Sequence, residues 1–207
     1  MLRSAPIPTC RKPAIPAEKE RRSWRSTSAT DHFVQFYHTD EYLIKCLAEF
    51  VDDGMWKNEA AIVIASPAHR QALENGLRAR GIDLAAAKTS GQYAAFDAEE
   101  TLALFMVNGE PDRSRFNESV GKLVWRARGT RRLRAFGEMV ALLWEQGNRR
   151  AAIQLEELWN ELGGQCDFSL YCAYPAACNT PSADGLSLDH VCTAHSAVLA
   201  AVSGADM

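Results

Sequence analysis

The sequence places a single acid directly after a predicted strand. Residues 132–137 are short and mainly apolar, and Glu138 follows them. In α/β proteins, ligands bind beyond the carboxyl ends of the strands, so a carboxylate in this position is a candidate ligand contact. The alternative is structural, because Glu138 could instead cap the next helix or pair with a nearby arginine. The sequence favours neither interpretation over the other.

A second candidate group follows the most apolar segment of the chain. Residues 60–65 are continuously apolar, which predicts a strand covered on both faces. Ser66 and Pro67 then suit the N-cap and the first position of a helix. At that helix N-terminus, Ser66, His69 and Arg70 could bind a small polar or anionic group. A capped helix with a solvated histidine and arginine explains these residues slightly better.

The same turn argues against binding of a nucleoside triphosphate. A Walker loop requires Gly-x-x-x-x-Gly-Lys-Ser/Thr, since bare backbone amides and a lysine wrap the phosphates. Residues 66–70 contain no glycine and no lysine, and Pro67 lacks an amide hydrogen. The motifs G-x-S-x-G, H-E-x-x-H and G-x-G-x-x-G are also missing from the sequence. We therefore expect a non-catalytic protein without ordinary P-loop hydrolysis of ATP.

Two histidines are candidates for a polar site within the core. His195 lies on the apolar face of a predicted terminal helix, and His32 opens the first predicted strand. A lone histidine in such a position is usually a hydrogen-bonded core residue. Cys192 and His195 have the spacing to share one helix face, which is a weak zinc signal. Without a second ligand pair elsewhere, the sequence predicts neither a metal site nor a cofactor.

The elements that position these residues alternate along the chain. Strands are predicted near 32–37, 60–65, 92–96, 132–137 and 168–173, with helices between them. This alternation is typical of βαβ units and predicts a three-layer α/β/α sandwich with a mostly parallel sheet, in which 60–65 is central. The helix over 149–162 is predicted to expose one charged face, made of Arg149, Arg150, Glu156, Glu157 and Glu161. A terminal helix from about Ser187 is predicted to bury one face as far as Val202.

Parallel strands bring their carboxyl ends to one edge of the sheet, so the residues there should lie together. We predict that some of them line one cavity, with Trp144 as an apolar wall: Ser66, His69, Arg70, Glu138 and Tyr174. His32 lies at the opposite end of its strand and by geometry should not join them. His195 could reach either end, because a long loop precedes its helix.

Composition limits the class of protein and its partners. The 207 residues and an apolar content of 47% suit one domain with tails. Residues 1–30 contain seven Lys/Arg against two Glu and are broken by prolines, so we expect a disordered basic tail before a domain over 31–203. The remainder is acidic, which argues against nucleic acid as the main partner. No run suits a membrane helix or a secretory signal, and three cysteines fall at apolar positions, so we expect a cytoplasmic protein.

Several segments together resemble one known family. They are 31–37 (DHFVQFY), 61–65 with His69-Arg70, 104–107 (LFMV), 134–140 (RAFGEMV), 155–160 (LEELWN), 168–170 (FSL) and 172–175 (CAYP). In combination they are similar to the MEDS sensory domain, named for methanogen and methylotroph proteins and the DcmR regulator. The resemblance spans roughly residues 31–202.

The resemblance implies a RecA/KaiC-like core that has lost its nucleotide loop. It also implies sensing of small molecules, proposed to be hydrocarbon derivatives, within transcriptional or two-component signalling. His32 and His195 are candidate ligand contacts because the resemblance includes them. We expect no fused output domain, so the chain would act through a separate histidine kinase or transcription regulator, or through self-association.

Two other functions remain open on the sequence. The chain could be a degenerate RecA-like module that still binds a nucleotide, with Glu138 as a relic of the catalytic acid. It could also be an interaction adaptor that binds no ligand. The missing Gly/Lys loop favours the sensor and the adaptor over the nucleotide-binding module.

Overall fold

A parallel sheet forms the centre of the computed structural model, which describes residues 30–176 and 186–199. Its strands are β1 (His32–Tyr37), β2 (Ala60–Ala65), β3 (Tyr93–Asp97), β6 (Leu133–Gly137), β7 (Ser169–Pro175) and β8 (Ala197–Leu199). The order across the sheet is β3-β2-β6-β7-β1-β8, and every pairing is parallel. A separate antiparallel pair joins β4 (Met106–Val107) to β5 (Glu110–Pro111).

Helices cover both faces of this sheet. One face carries α1 (Asp40–Trp56), α2 (Pro67–Ala79) and α3 (Leu84–Thr89). The other carries α4 (Ala98–Ala103), α5 (Arg113–Phe116), α6 (Lys122–Arg128), α7 (Met139–Glu145), α8 (Arg149–Gly163) and α9 (Leu188–Ala194), with a π-helical turn at Asn117–Gly121 between α5 and α6. The predicted three-layer α/β/α sandwich is confirmed.

The buried strand β2 shows why the sequence folds into these layers. Ile62 and Ile64 pack into the core beneath α4–α9, while Ala61 and Val63 pack beneath α1–α3. All six residues of the strand are buried, as its continuous apolar run predicted. The strand is interior, although only β3 separates it from the edge of the sheet. Each isoleucine buried in this way contributes about 1.5–3 kcal/mol.

The order in which the chain adds strands to the sheet reverses between β2 and β6. From β2 the chain passes through α2 and α3 to β3 on one side, over one face of the sheet. From β6 it passes through α7 and α8 to β7 on the other side, over the opposite face. The helices therefore diverge above the carboxyl ends of β2 and β6. Such a topological switch point opens a crevice, which is where open α/β sheets bind ligands.

Two predictions about helices need correction. Glu156 and Arg149, expected on the exposed face of α8, are buried, with Glu156 fully inaccessible. The terminal helix α9 ends at Ala194, because the chain then extends as β8 beside β1. Residues 1–29 of the predicted tail, residues 177–185 before the terminal helix, and Val202 lie outside the described residues.

A membrane-spanning helix was not expected from the sequence. Within residues 30–176 and 186–199, no helix has both the length and the apolarity that crossing a bilayer requires.

Candidate functional site

Four side chains meet above the switch point, and we call them the switch-point cluster: Asp40, Ser66, His69 and Glu138. Ser66 is the only residue between β2 and α2, and Glu138 is the only residue between β6 and α7. The Ser66 amide donates to Glu138 Oε2 at 2.7 Å, and His69 Nδ1 lies 2.8 Å from Glu138 Oε1. Ser66 and Glu138 follow the carboxyl ends of the neighbouring parallel strands β2 and β6, so they lie at the same edge of the sheet.

The Glu138 carboxylate has a different role from both structural alternatives. Glu138 occupies the N-cap position of α7, but its side chain makes no capping hydrogen bond there. It accepts instead from the turn that begins α2, including Ser66 Oγ at 3.4 Å. His69 and Arg70 are not the solvated pair that was expected, since His69 is buried and Arg70 pairs with Asp97 at 2.9 Å.

Charge at this edge of the sheet is mainly negative. The hydrogen bond to Glu138 raises the pKa of His69, burial opposes this, and the charges of Glu138 and Asp40 add to the increase. The Asp40 carboxylate lies 3.5 Å from His69 Nε2 and is itself 75% exposed. Partial burial, together with Glu138 and Asp40, also raises the pKa of Glu145. The imidazole of His69 therefore bridges two acids and favours its protonated form.

A second polar group lies inside the core, and we call it the Glu156 cluster: His32, Glu156, Cys172, Tyr174 and His195. Tyr174 Oη donates to Glu156 Oε1 at 2.6 Å. His32 Nε2 is 3.3 Å from Glu156 Oε2, and His195 Nε2 is 3.5 Å from Glu156 Oε1. The Sγ of Cys172 is 3.5 Å from Glu156 Oε2. Side chains from β1, from β7 and from the residue after α9 thus converge on one buried carboxylate of α8.

The environment of Glu156 keeps its carboxylate ionised. Burial alone raises the pKa of Glu156, but the His195 and His32 imidazoles and the Tyr174 hydroxyl outweigh it and lower the pKa to about 2. Burial and the Glu156 charge raise the pKa of Tyr174 well above its ordinary value. Burial lowers the pKa of His195, and Glu156 opposes this effect.

The structure divides between the two clusters the residues of which some were predicted to line one cavity. Ser66, His69 and Glu138 meet at the switch point, with the Arg70–Asp97 pair at the end of the neighbouring β3. Tyr174 instead points to Glu156, and its ring contacts Trp144 with centroids 5.7 Å apart.

The remaining predicted residues belong with Tyr174. Trp144 is buried in the core and also lies 4.9 Å from the Arg149 guanidinium. His32 lies at the amino end of β1, away from the carboxyl ends of the strands, as predicted. The ring of His195 packs against that of His32, with centroids 4.1 Å apart.

Sequence reasoning missed Glu156, Cys172 and Asp40 as members of these clusters. Glu156 was assigned to the exposed face of α8, but Ala152 and Trp159 lie four residues before it and three after it. Both belong to the core, so Glu156 borders the apolar stripe of the helix. That spacing was a usable signal. Asp40 gave none, because a first-turn acid on α1 is also explained by the helix dipole.

Comparison with known proteins completes the description. No curated protein matches the sequence. Among solved structures, a KaiC-like protein from the hyperthermophilic archaeon Pyrococcus horikoshii is similar with a TM-score of 0.49 and 13% sequence identity. The similarity covers 70% of this chain and 62% of that protein, so the chain spans less than two thirds of its length. The sequence profile of the MEDS family, described as the methanogen/methylotroph, DcmR sensory domain, matches residues 31–196, and the chain therefore belongs to this family of sensory domains.

Proposed function

We propose that this chain is a non-catalytic, cytoplasmic sensor that binds a small organic molecule at the switch-point cluster and reports its presence to a separate signalling or transcription protein. The observation that carries the proposal is the position of the cluster. Ser66 follows β2 and Glu138 follows β6, the two neighbouring strands between which the strand order reverses. This is where open α/β sheets bind their ligands, and the family is sensory.

The chemistry of the cluster favours a neutral or cationic ligand over a phosphate. Asp40 and Glu138 supply negative charge around His69, and the nearby Arg70 is already paired with Asp97. The connection from β2 to α2 is a single residue, which leaves no loop to wrap a phosphate chain. A short hydrocarbon derivative with one polar group fits this setting better than a nucleotide.

The same contacts argue against catalysis. In serine and cysteine hydrolases, a histidine takes the proton of the nucleophile. Here Ser66 Oγ bonds to Glu138, and the imidazole of His69 bonds to the acid rather than to the hydroxyl. Ser66 also caps α2 by accepting from the His69 amide at 3.4 Å. These contacts join the start of α2 to the end of β6, and they place no base to activate the Ser66 hydroxyl.

The cluster also offers a route for the signal. Asp40 begins α1, His69 belongs to the first turn of α2, and Glu138 precedes α7. A ligand that competes for the His69–Glu138 hydrogen bond would shift the start of α2 relative to α1. Such a change alters the outer surface of these helices only to the extent that the ligand binds one arrangement better than the other.

A thermal-shift screen of the full chain tests the proposal. The panel consists of short-chain alcohols, amines, aldehydes and haloalkanes on one side, and ATP, ADP and GTP on the other. A ligand that binds only the folded state raises the melting temperature. At a ligand concentration of 100 times Kd, the free energy of unfolding increases by about 2.7 kcal/mol. We expect an organic compound to raise it in the wild type and in Glu145→Gln, and to lose this effect in Glu138→Gln. Stabilisation by nucleotides alone, or an organic effect that survives in Glu138→Gln, would contradict the proposal.

A further inference from the structure

Four residues of the Glu156 cluster carry atoms that metals bind. His32 comes from β1, Glu156 from α8, Cys172 from β7, and His195 directly follows α9. One ligand atom from each lies within 4.8 Å of the other three. His32, Glu156 and Cys172 are buried, and the side chain of His195 has no exposed surface. Each of the four donor side chains is therefore largely shielded from water.

Three of the four donors have the spacing found around a tetrahedral zinc ion. Bond lengths of about 2.0–2.1 Å to nitrogen or oxygen and about 2.3 Å to sulfur place neighbouring ligand atoms about 3.3–3.6 Å apart. Oε2 of Glu156 lies 3.3 Å from His32 Nε2 and 3.5 Å from Cys172 Sγ. His32 Nε2 is 3.4 Å from the same sulfur. Three donors thus already have the spacing of one coordination shell.

The outer hydrogen bonds fix the orientation of both imidazoles. Nδ1 of His195 is 2.6 Å from the Val191 carbonyl, which can only accept, so this nitrogen carries the proton. Nδ1 of His32 is 2.8 Å from Asn160 Oδ1. The Asn160 amide nitrogen donates to the Ala194 carbonyl at 2.9 Å, so its oxygen faces the histidine. In the neutral rings, both Nε2 atoms therefore direct lone pairs into the cluster, as metal-ligating histidines do.

Among the described residues, the lone pair of His195 Nε2 lacks a hydrogen-bond partner. His195 Nε2 is buried and makes no hydrogen bond, although it lies 3.5 Å from a carboxylate oxygen that is also an acceptor. Tyr174 holds the Oε1 atom of Glu156 at 2.6 Å, which leaves Oε2 facing His32 and Cys172. Acceptors that face each other in a buried space are destabilised unless a proton or a metal cation lies between them.

We propose that His32, Glu156, Cys172 and His195 bind a divalent transition-metal ion, with zinc as the ion that this donor set favours. Two neutral imidazoles, one carboxylate and one thiolate balance the charge of the ion, so the buried site is neutral overall. Binding deprotonates the Cys172 thiol and releases one proton to solvent. The site is separate from the switch-point cluster and does not depend on the proposed function.

The ion would have a structural consequence within the fold. His195 brings the chain between α9 and β8 to the sheet, while His32 and Cys172 belong to the adjacent strands β1 and β7. One ion would thus join the last described segment, residues 186–199, to the centre of the domain. Because a metal that binds only the folded state stabilises it by mass action, metal removal should loosen this segment first.

Cobalt reconstitution of the full chain tests the site. The untagged protein is stripped with a chelator and titrated with Co²⁺, whose thiolate charge-transfer band reports a Co–S bond. We expect one ion per chain, the charge-transfer band, and displacement by Zn²⁺. Cys172→Ser should remove the band, whereas Cys166→Ser, at another buried free thiol outside the cluster, should keep it.

A second variant keeps the test decisive if Cys172→Ser fails to fold. Asn160→Ala leaves all four ligands in place but removes the hydrogen bond that orients His32, and should weaken metal affinity about 10–100-fold while retaining the band. Substoichiometric binding by the folded wild type would overturn the proposal, with the cluster then a hydrogen-bonded core. A band that is insensitive to Cys172→Ser would overturn it equally.

Discussion

Replacement of Glu138 should separate its hydrogen bonds from its charge. The Glu138 side chain is nearly inaccessible and accepts from the Ser66 amide at 2.7 Å and from His69 Nδ1 at 2.8 Å. A hydrogen bond to a charged group contributes about 1.5–3 kcal/mol, and an unpaired buried donor costs about 1–3 kcal/mol. Allowing His69 to turn towards water, we expect Glu138→Ala to lower the free energy of unfolding by about 2–4 kcal/mol. The melting temperature should fall by on the order of 10 °C.

Glu138→Gln is the informative comparison. The amide oxygen can still accept from the Ser66 amide, and the amide nitrogen can donate to Nδ1 of a neutral His69. Both contacts then survive without the charge, so the loss should be about 1 kcal/mol. Glu145→Ala changes an exposed acid on the same helix and should stay within about 0.5 kcal/mol of the wild type. Urea unfolding followed by circular dichroism measures all three. The reasoning is refuted if Glu138→Ala is as stable as Glu145→Ala, or if glutamine destabilises as much as alanine.

Three further predictions concern stability, pH and turnover. Gly54→Ala should lower the free energy of unfolding by about 1–3 kcal/mol, because the new Cβ would lie 2.6 Å from Arg134 Cδ. Gly76→Ala should instead raise it by up to about 1 kcal/mol, because its Cβ would meet only the Ala48 Cβ at 3.8 Å. Equal effects of the two variants in urea unfolding would contradict this reasoning. The stability difference between the wild type and His69→Gln should be full below the unfolded pKa of about 6.5 and shrink as pH rises through the raised folded pKa, so a difference that stays constant with pH would disprove the pairing. The chain should release no phosphate from ATP, and hydrolysis that Glu138→Gln abolishes would restore the degenerate-ATPase hypothesis.

Local patterns were sufficient to predict most of the sheet. The apolar run over 60–65 can be stable only as a strand covered on both faces, and Ser66-Pro67 specifies a helix start within one residue. Parallel strands then bring Ser66 and Glu138 to the same edge, which is why this part of the site was predictable. The strand β8 was not, because three residues give no periodicity of their own and pair only through β1.

The Glu156 cluster depends on information that local patterns do not contain. His32 and His195 are separated by most of the chain, and their contact follows from the position of β1 between β7 and β8. Tyr174 was expected at the strand ends, but its side chain turns back along the sheet face to Glu156. A glutamate that shares α8 with two others resembles a solvated residue until the packing of the helix is known.

The most direct test of the sensor account is an amide chemical-shift map of the ¹⁵N-labelled full chain. The spectrum is recorded with and without the organic compound that raises the melting temperature most in the thermal-shift screen. The account predicts that the largest shifts fall on the turn at Ser66–Arg70 and on Glu138 and Met139, and that they vanish in Glu138→Gln. Shifts confined to other surfaces, or unchanged in that variant, would contradict a ligand site at the switch point.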